Sequence, residues 1–198
     1  EEFIAEILRH IDGTLYVHPR TGKFVLKLAR ADYNVASLLV LDASNILELE
    51  SFSRPSESEL INQVTVRYRD RSTDKDAAIT VHDLAALELA GGVVSSATVD
   101  YPGIANGSLA SRVALGDLKQ LSVPLAKATL IANRQASNLN IGEVFKLTWP
   151  ELGIAQLVMR IARVSYGTLT AGRVSIECVE DIFGLPFDAR GDAWVWRR

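Results

Sequence analysis

The chain has 198 residues, enough for one large domain or two small ones. It is 48% hydrophobic and 23% charged, a balance that supports a sizeable core beneath an ordinary charged surface. Its net charge of −3 argues against a dedicated nucleic-acid binder, and its single cysteine, Cys178, excludes both an intrachain disulfide and a cysteine-rich zinc site.

The chain opens on Glu1, inside a segment with helical periodicity, and is expected to be an excerpt of a longer protein or a processed product. No secretory signal is visible, and no run of about 18 or more apolar residues could cross a membrane as a helix. In EEFIAEILRHIDG, Phe3, Ile4, Ile7, Leu8 and Ile11 fall on one helical stripe, with Gly13 expected as the residue just past the helix end. TLYVHPRTGKFVLKLAR then alternates on both sides of a PRTG turn and predicts a β-hairpin. Residues 31–45 show no period and are expected to be a linker with a buried turn. Ile46 to Phe52 alternates as a strand, and SRPSESE breaks the pattern.

Ile61 to Asp70 predicts a strand with Val64, Val66 and Tyr68 on one face and Thr65, Arg67 and Arg69 on the other. A charged turn, a short strand at AAITVHD, a helical turn ended by Gly91 and Gly92, and an extended VVSSATVDY follow. The strongest helix spans 106–122, capped by Asn106 or Ser108, with Ala110, Val113, Ala114, Leu118 and Leu121 on one stripe. Pro124 stops it. From Pro124 to Phe183 the chain reads as an antiparallel meander of four strand-like segments. Within it three apolar faces alternate with polar ones: Phe145, Leu147 and Trp149; Leu157, Met159 and Ile161; Val174, Ile176 and Cys178. The expected fold is α+β: a mainly antiparallel sheet, barrel-like or strongly curved, with the 106–122 helix packed on it and an N-terminal helix plus hairpin. The composition break places one boundary between Asn45 and Glu59.

The chemistry-bearing residues are dispersed. His10, His18 and His82 lack the i, i+4 spacing of a helical metal site and read as surface histidines. His82-Asp83 would need a nucleophile elbow for a triad, and the sequence has no G-x-S-x-G. Cys178 falls on an apolar strand face and reads as core. Glu177, Glu180 and Asp181, like Asp74, Asp76 and Asp83, could supply a carboxylate pair for glycoside hydrolysis, but read first as a solvated charged face. LAGGVV and GTLTAG match no phosphate-binding loop. Gly142 is expected to turn the chain into a strand. Arg67, Arg69, Arg71, Arg160 and Arg163 could line a DNA channel, and read first as partners of neighbouring carboxylates. No catalytic, cofactor-binding or metal residue is singled out, and no cofactor is expected.

Seven stretches in order carry a resemblance: Asp12 to Tyr16 with Pro19 to Lys23; Phe52-Ser53-Arg54-Pro55; Asn62 to Tyr68; Asp100-Tyr101-Pro102-Gly103; Pro124-Leu125-Ala126; Gly142 to Leu147 with Trp149-Pro150; and Val179 to Gly184. Over about Glu1 to Pro186 the chain resembles the tail proteins of long-tailed bacteriophages, the tail-hub or tail-tip attachment proteins also found in prophages and gene transfer agents. The resemblance implies a non-enzymatic virion structural protein of the baseplate hub, acting in tail assembly and host attachment. It implies a homotrimer that contacts tail-tube, baseplate and fibre or spike proteins. The place implied is the virion tail, with assembly in the bacterial cytoplasm, no membrane contact, and nucleic acid only in transit through the tail. The expected division is 1–52 as a helix–hairpin segment of an adjacent hub subdomain, 53–187 as an antiparallel β hub domain, and 188–198 as a C-terminal tail. Candidate interfaces are the faces of Ile61 to Asp70 and Ile154 to Arg163, and the Trp194/Trp196 tail. The alternatives are a glycan or peptidoglycan hydrolase domain, and a carbohydrate-binding β module with Trp149, Trp194 and Trp196 as its platform.

Overall fold

A computed structural model of the chain describes residues 2–56, 59–168 and 170–184; the tail with Trp194 and Trp196 lies outside the described residues. The fold is α+β, with a strongly curled six-stranded half-barrel and an N-terminal helix plus hairpin. Two compact units are present: one comprises 1–53 and 125–198, the other 54–124.

The first unit begins with α1 (Glu2–His10) and the antiparallel hairpin β1 (Gly13–Val17) and β2 (Phe24–Leu28). The residue that turns the chain out of α1 is Asp12, at φ 50°, and not Gly13, which opens β1. Aspartate tolerates this left-handed conformation because its short polar side chain bonds locally. The span expected to be a linker contains a 3-10 turn, Val35–Ser37, and the two-residue strand β3 (Val40–Leu41), with Leu41 fully buried. Next comes β4 (Ile46–Ser53).

After the second unit the sheet is completed by β8 (Lys127–Ala132), β9 (Val144–Trp149), β10 (Ile154–Ser165) and β11 (Val174–Glu180). Strand order is β3-β9-β10-β11-β8-β4. β9, β10 and β11 form the expected meander. β8, however, pairs with β11 rather than β9, because residues 133–143 carry the chain back across the sheet. This is a Greek-key order rather than a four-strand meander. β3 adds to β9 in parallel at the other edge, and β4 pairs antiparallel with β8 through Ser53↔Lys127. That pairing joins residues on the two sides of the 52/53 division expected from the sequence.

The concave core holds Leu41, Leu130, Phe145, Leu147, Met159, Ile161, Ile176 and Cys178, the alternating faces read from the sequence. One strand departs from strict alternation. Continued from Leu157, Met159 and Ile161, the period would place Arg163 inside. A bulge between Ile161 and Arg163 adds a residue, so Val164 packs on the core and Arg163 points to solvent.

The second unit holds β5 (Gln63–Asp70), β6 (Lys75–His82), α2 (Leu84–Leu89), β7 (Ser96–Asp100) and α3 (Gly107–Leu121). The sheet order is β6-β5-β7, with β5 and β7 parallel. α3 packs on this small sheet, not on the curled one, because its stripe of Ala110, Ala114 and Leu118 meets Val64, Val66 and Tyr68 of β5. Asn106 caps α3, its side-chain oxygen accepting from the Leu109 N–H at 2.8 Å. Ile61 N–H donates to the Leu121 carbonyl at 3.2 Å, so the ends of this unit lie side by side.

The apolar halves of two strand faces expected to serve as interfaces are therefore spent in the two cores. Val64, Val66 and Tyr68 lie in one core, and Met159 and Ile161 in the other. Trp149 packs against the larger core.

Candidate functional site

The densest polar cluster lies in the first unit, where Arg160 of β10 gathers four chain segments. Its Nε donates to the Asp181 carboxylate at 2.8 Å, one terminal nitrogen donates to the Gly142 carbonyl at 2.8 Å, and the other donates to the Arg30 carbonyl at 3.1 Å. The Tyr33 hydroxyl donates to the second Asp181 oxygen, and the guanidinium sits 6.0 Å from the Tyr33 ring centroid. The planar fork of arginine can serve several acceptors at fixed angles. Gly142, at φ 80°, makes the expected turn into β9, and that turn aims its carbonyl at Arg160.

The cluster is largely dry. Side-chain exposure is 3% for Asp181 and 15% for Arg160. Burial, then the bond to Asp181, pushes the Tyr33 hydroxyl well above the usual tyrosine range. Glu180, also buried, accepts the Ala126 N–H at 2.9 Å. Two shallow open clefts flank the cluster. One, about 300 Å³, lies beside Gln156, Glu180 and Asp181; the other, about 200 Å³, lies beside Lys27, Asp32, Glu143 and Arg160. Asp181 is held by a cation and a hydroxyl, and a general acid or base must instead be free to exchange its proton with a bound substrate. The arrangement is a clasp: it fixes the segment around Arg30 and Tyr33, the Gly142 turn and the end of β11 to one strand.

The remaining sequence candidates are scattered. His10 Nδ1 lies 2.7 Å from the Glu6 carbonyl within α1, and His18 Nδ1 accepts the Arg20 N–H at 3.2 Å in the hairpin turn. His82 sits opposite Gln63 on β6, and the Asp83 carboxylate caps α2 through the Ala86 N–H at 3.0 Å, so it is not aimed at the histidine. Arg69 pairs with Asp74, and Arg163 with Glu177, both at the surface. Cys178 is buried, and desolvation pushes its thiol up to about 12. Among the described residues no group of three His, Cys, Asp or Glu side chains could hold a metal ion. Among them, too, no helix is long and apolar enough to cross a membrane.

The clasp escaped sequence reading because its members stand at 30, 33, 142, 160 and 181, and two of them contribute only a backbone carbonyl. Asp181 and Arg160 were each read as surface charges.

The family model described as "Putative phage tail protein" matches residues 1–164. Among solved structures the fold is similar to a chain of a native gene transfer agent virion, at 20% identity and TM-score 0.62, over 96% of this chain and 41% of that one. It is also similar to the 43 kDa tail protein of prophage MuSo2 from Shewanella oneidensis, at 17% identity and TM-score 0.54, over 90% and 53% of the two chains. A tail protein from Neisseria meningitidis MC58 matches at 13% identity and TM-score 0.57, over 89% and 53%. The chain thus spans about half, or less, of the length of these structures. No curated protein matches it. The family model covers both sheets' worth of strands from α1 to the middle of β10, and on that match the chain belongs to the phage tail protein family.

Proposed function

We propose that the chain is part of a structural protein of a phage or prophage tail, placed at the distal hub or tip, where it acts in assembly and host attachment. Family membership over residues 1–164 is the observation that carries this reading. The polar chemistry fits it: the carboxylates of the clasp are consumed in holding the chain together, which favours a rigid building block over a hydrolase. Three copies would close around the tail axis, since cyclic closure is the common solution for identical subunits. Their neighbours would be tube, baseplate and fibre or spike proteins, met in the bacterial cytoplasm before the finished tail leaves with the virion.

Immunogold labelling of intact particles with antibody against this chain tests the placement. Label confined to the end of the tail farthest from the head is the expected result. Label along the shaft or on the head would refute the hub placement while leaving a tail role open.

A further inference from the structure

The N-terminal arm is amphipathic in an unusual sense: its polar side is turned toward its own unit and its apolar side away from it. On the hairpin, Tyr16 and Lys27 share one face with Thr14 and Val25, and this face meets the 138–143 loop. Lys27 lies against Gly142, so closely that a Cβ there would be 3.0 Å from its side chain. Arg20 at the hairpin turn bonds to Asn138, and Arg30 at its base is held by the clasp. The opposite face pairs Leu15 with Leu26 and Val17 with Phe24, and all four are exposed. The stripe of α1 shows the same feature at Phe3, Ile4 and Ile7. The two surfaces meet at Ile11 and Leu26, which close over Gly13, and from there both run out uncovered.

Phe3 is 76% exposed and Phe24 78%. Seven large apolar side chains in one arm offer several hundred square ångströms, on the order of the 800 Å² per partner of a standard interface. What is uncovered is one helix stripe and one strand ladder, the two halves of a helix-on-sheet layer. The flanking charges match as well. The sequence sets Glu1 and Glu2 beside Phe3 at the free end of the stripe, and Arg20 and Lys23 near Phe24 at the free end of the ladder.

From this geometry we infer that the occupant is a second copy of this chain: the α1 stripe of one copy packs on the β1–β2 ladder of the next. The contact is head-to-tail, so it can repeat around a ring. The inference deepens the reading above by naming the surface where copies meet, and rests on that reading only for the existence of self-association.

The test is the solution mass of the 198-residue chain by light scattering from low to high micromolar concentration, for the native sequence, Phe3→Asp and Phe24→Asp. Both positions are exposed, so both variants keep the native circular dichroism and melting midpoint. The native chain is expected to associate, and each variant to associate at least tenfold more weakly. Mixing the two variants restores one intact contact per pair and is expected to yield heterodimers. A native chain that stays monomeric across the range overturns the inference. So does association that survives both substitutions, which would place the contact elsewhere. Neither result bears on where gold label falls on the tail.

Discussion

Replacing Arg160 by Met tests whether the clasp holds the first unit together. The substitution keeps most of the aliphatic stem and removes the guanidinium. It leaves the Asp181 carboxylate, 3% exposed, with the Tyr33 hydroxyl as its remaining side-chain donor among the bonds described above. The Gly142 and Arg30 carbonyls lose their donors too, but they lie toward the wetter side of the cluster, where water can replace them. Breaking a buried ion pair from one side costs about 3–5 kcal/mol. Arg160 keeps some solvent contact, so a loss of about 3 kcal/mol is expected, near the lower end of that range. At about 2–4 °C per kcal/mol for a protein of this size, the melting midpoint falls by roughly 6–12 °C. Asp181→Asn and the double variant complete a cycle, measured by urea denaturation. Because the asparagine removes the stranded charge, the double variant should be more stable than the sum of the single losses implies, by more than about 1 kcal/mol. Additivity within about 0.5 kcal/mol, or a loss below about 1 kcal/mol for Arg160→Met, would refute the clasp as a coupled unit.

Other consequences can be checked separately. In α3, Asn106→Ala should cost about 1 kcal/mol by removing the cap, while Gly116→Ala, whose Cβ meets nothing within 4 Å, should add up to about 1 kcal/mol; thermal melts read both. Phe145→Ala empties the centre of the larger core and should cost about 3–5 kcal/mol by urea titration. Cys178 should resist thiol reagents at neutral pH until the first unit unfolds, with labelling followed by mass spectrometry. Its thiol is pushed up by burial from 9.0 to about 12, so the folded state favours the protonated form. That contribution is fully present below pH 9 and is lost as pH rises toward 12; Cys178→Val should flatten this part of the alkaline stability profile.

The parts legible in the sequence were those governed by local period. The faces of β5, β9 and β11 and the stripe of α3 follow from alternation or helical spacing, and burial confirms them residue by residue. β3 was missed because Leu38-Leu39-Val40-Leu41 is apolar throughout, which carries no period, and two residues are too few to show one. The exit of Arg163 from the core depends on a single inserted residue, which a period cannot register. The place of β8 depends on the route of residues 133–143 rather than on β8's own composition. The outward face of the arm was half legible: the stripe of α1 was visible, but its orientation is set by Arg20, Arg30 and Lys27 gripping the unit on the other side. The clasp required three-dimensional coincidence of residues from 30 to 181, for which no spacing rule exists.

The side-by-side ends of the second unit bear on the order in which the protein folds. The antiparallel pair Ser53↔Lys127 closes a loop containing the whole of 54–126. If the inner unit folds first, its Ile61–Leu121 hydrogen bond already draws the flanks together, leaving only 54–60 and 122–126 to be ordered. At about 0.6 kcal/mol per halving of a loop, the entropic barrier to pairing β4 with β8 drops by on the order of 1 kcal/mol. The interrupted sheet would then zip from an internal nucleus, and its assembly rate would track the stability of a unit with which it shares no strand.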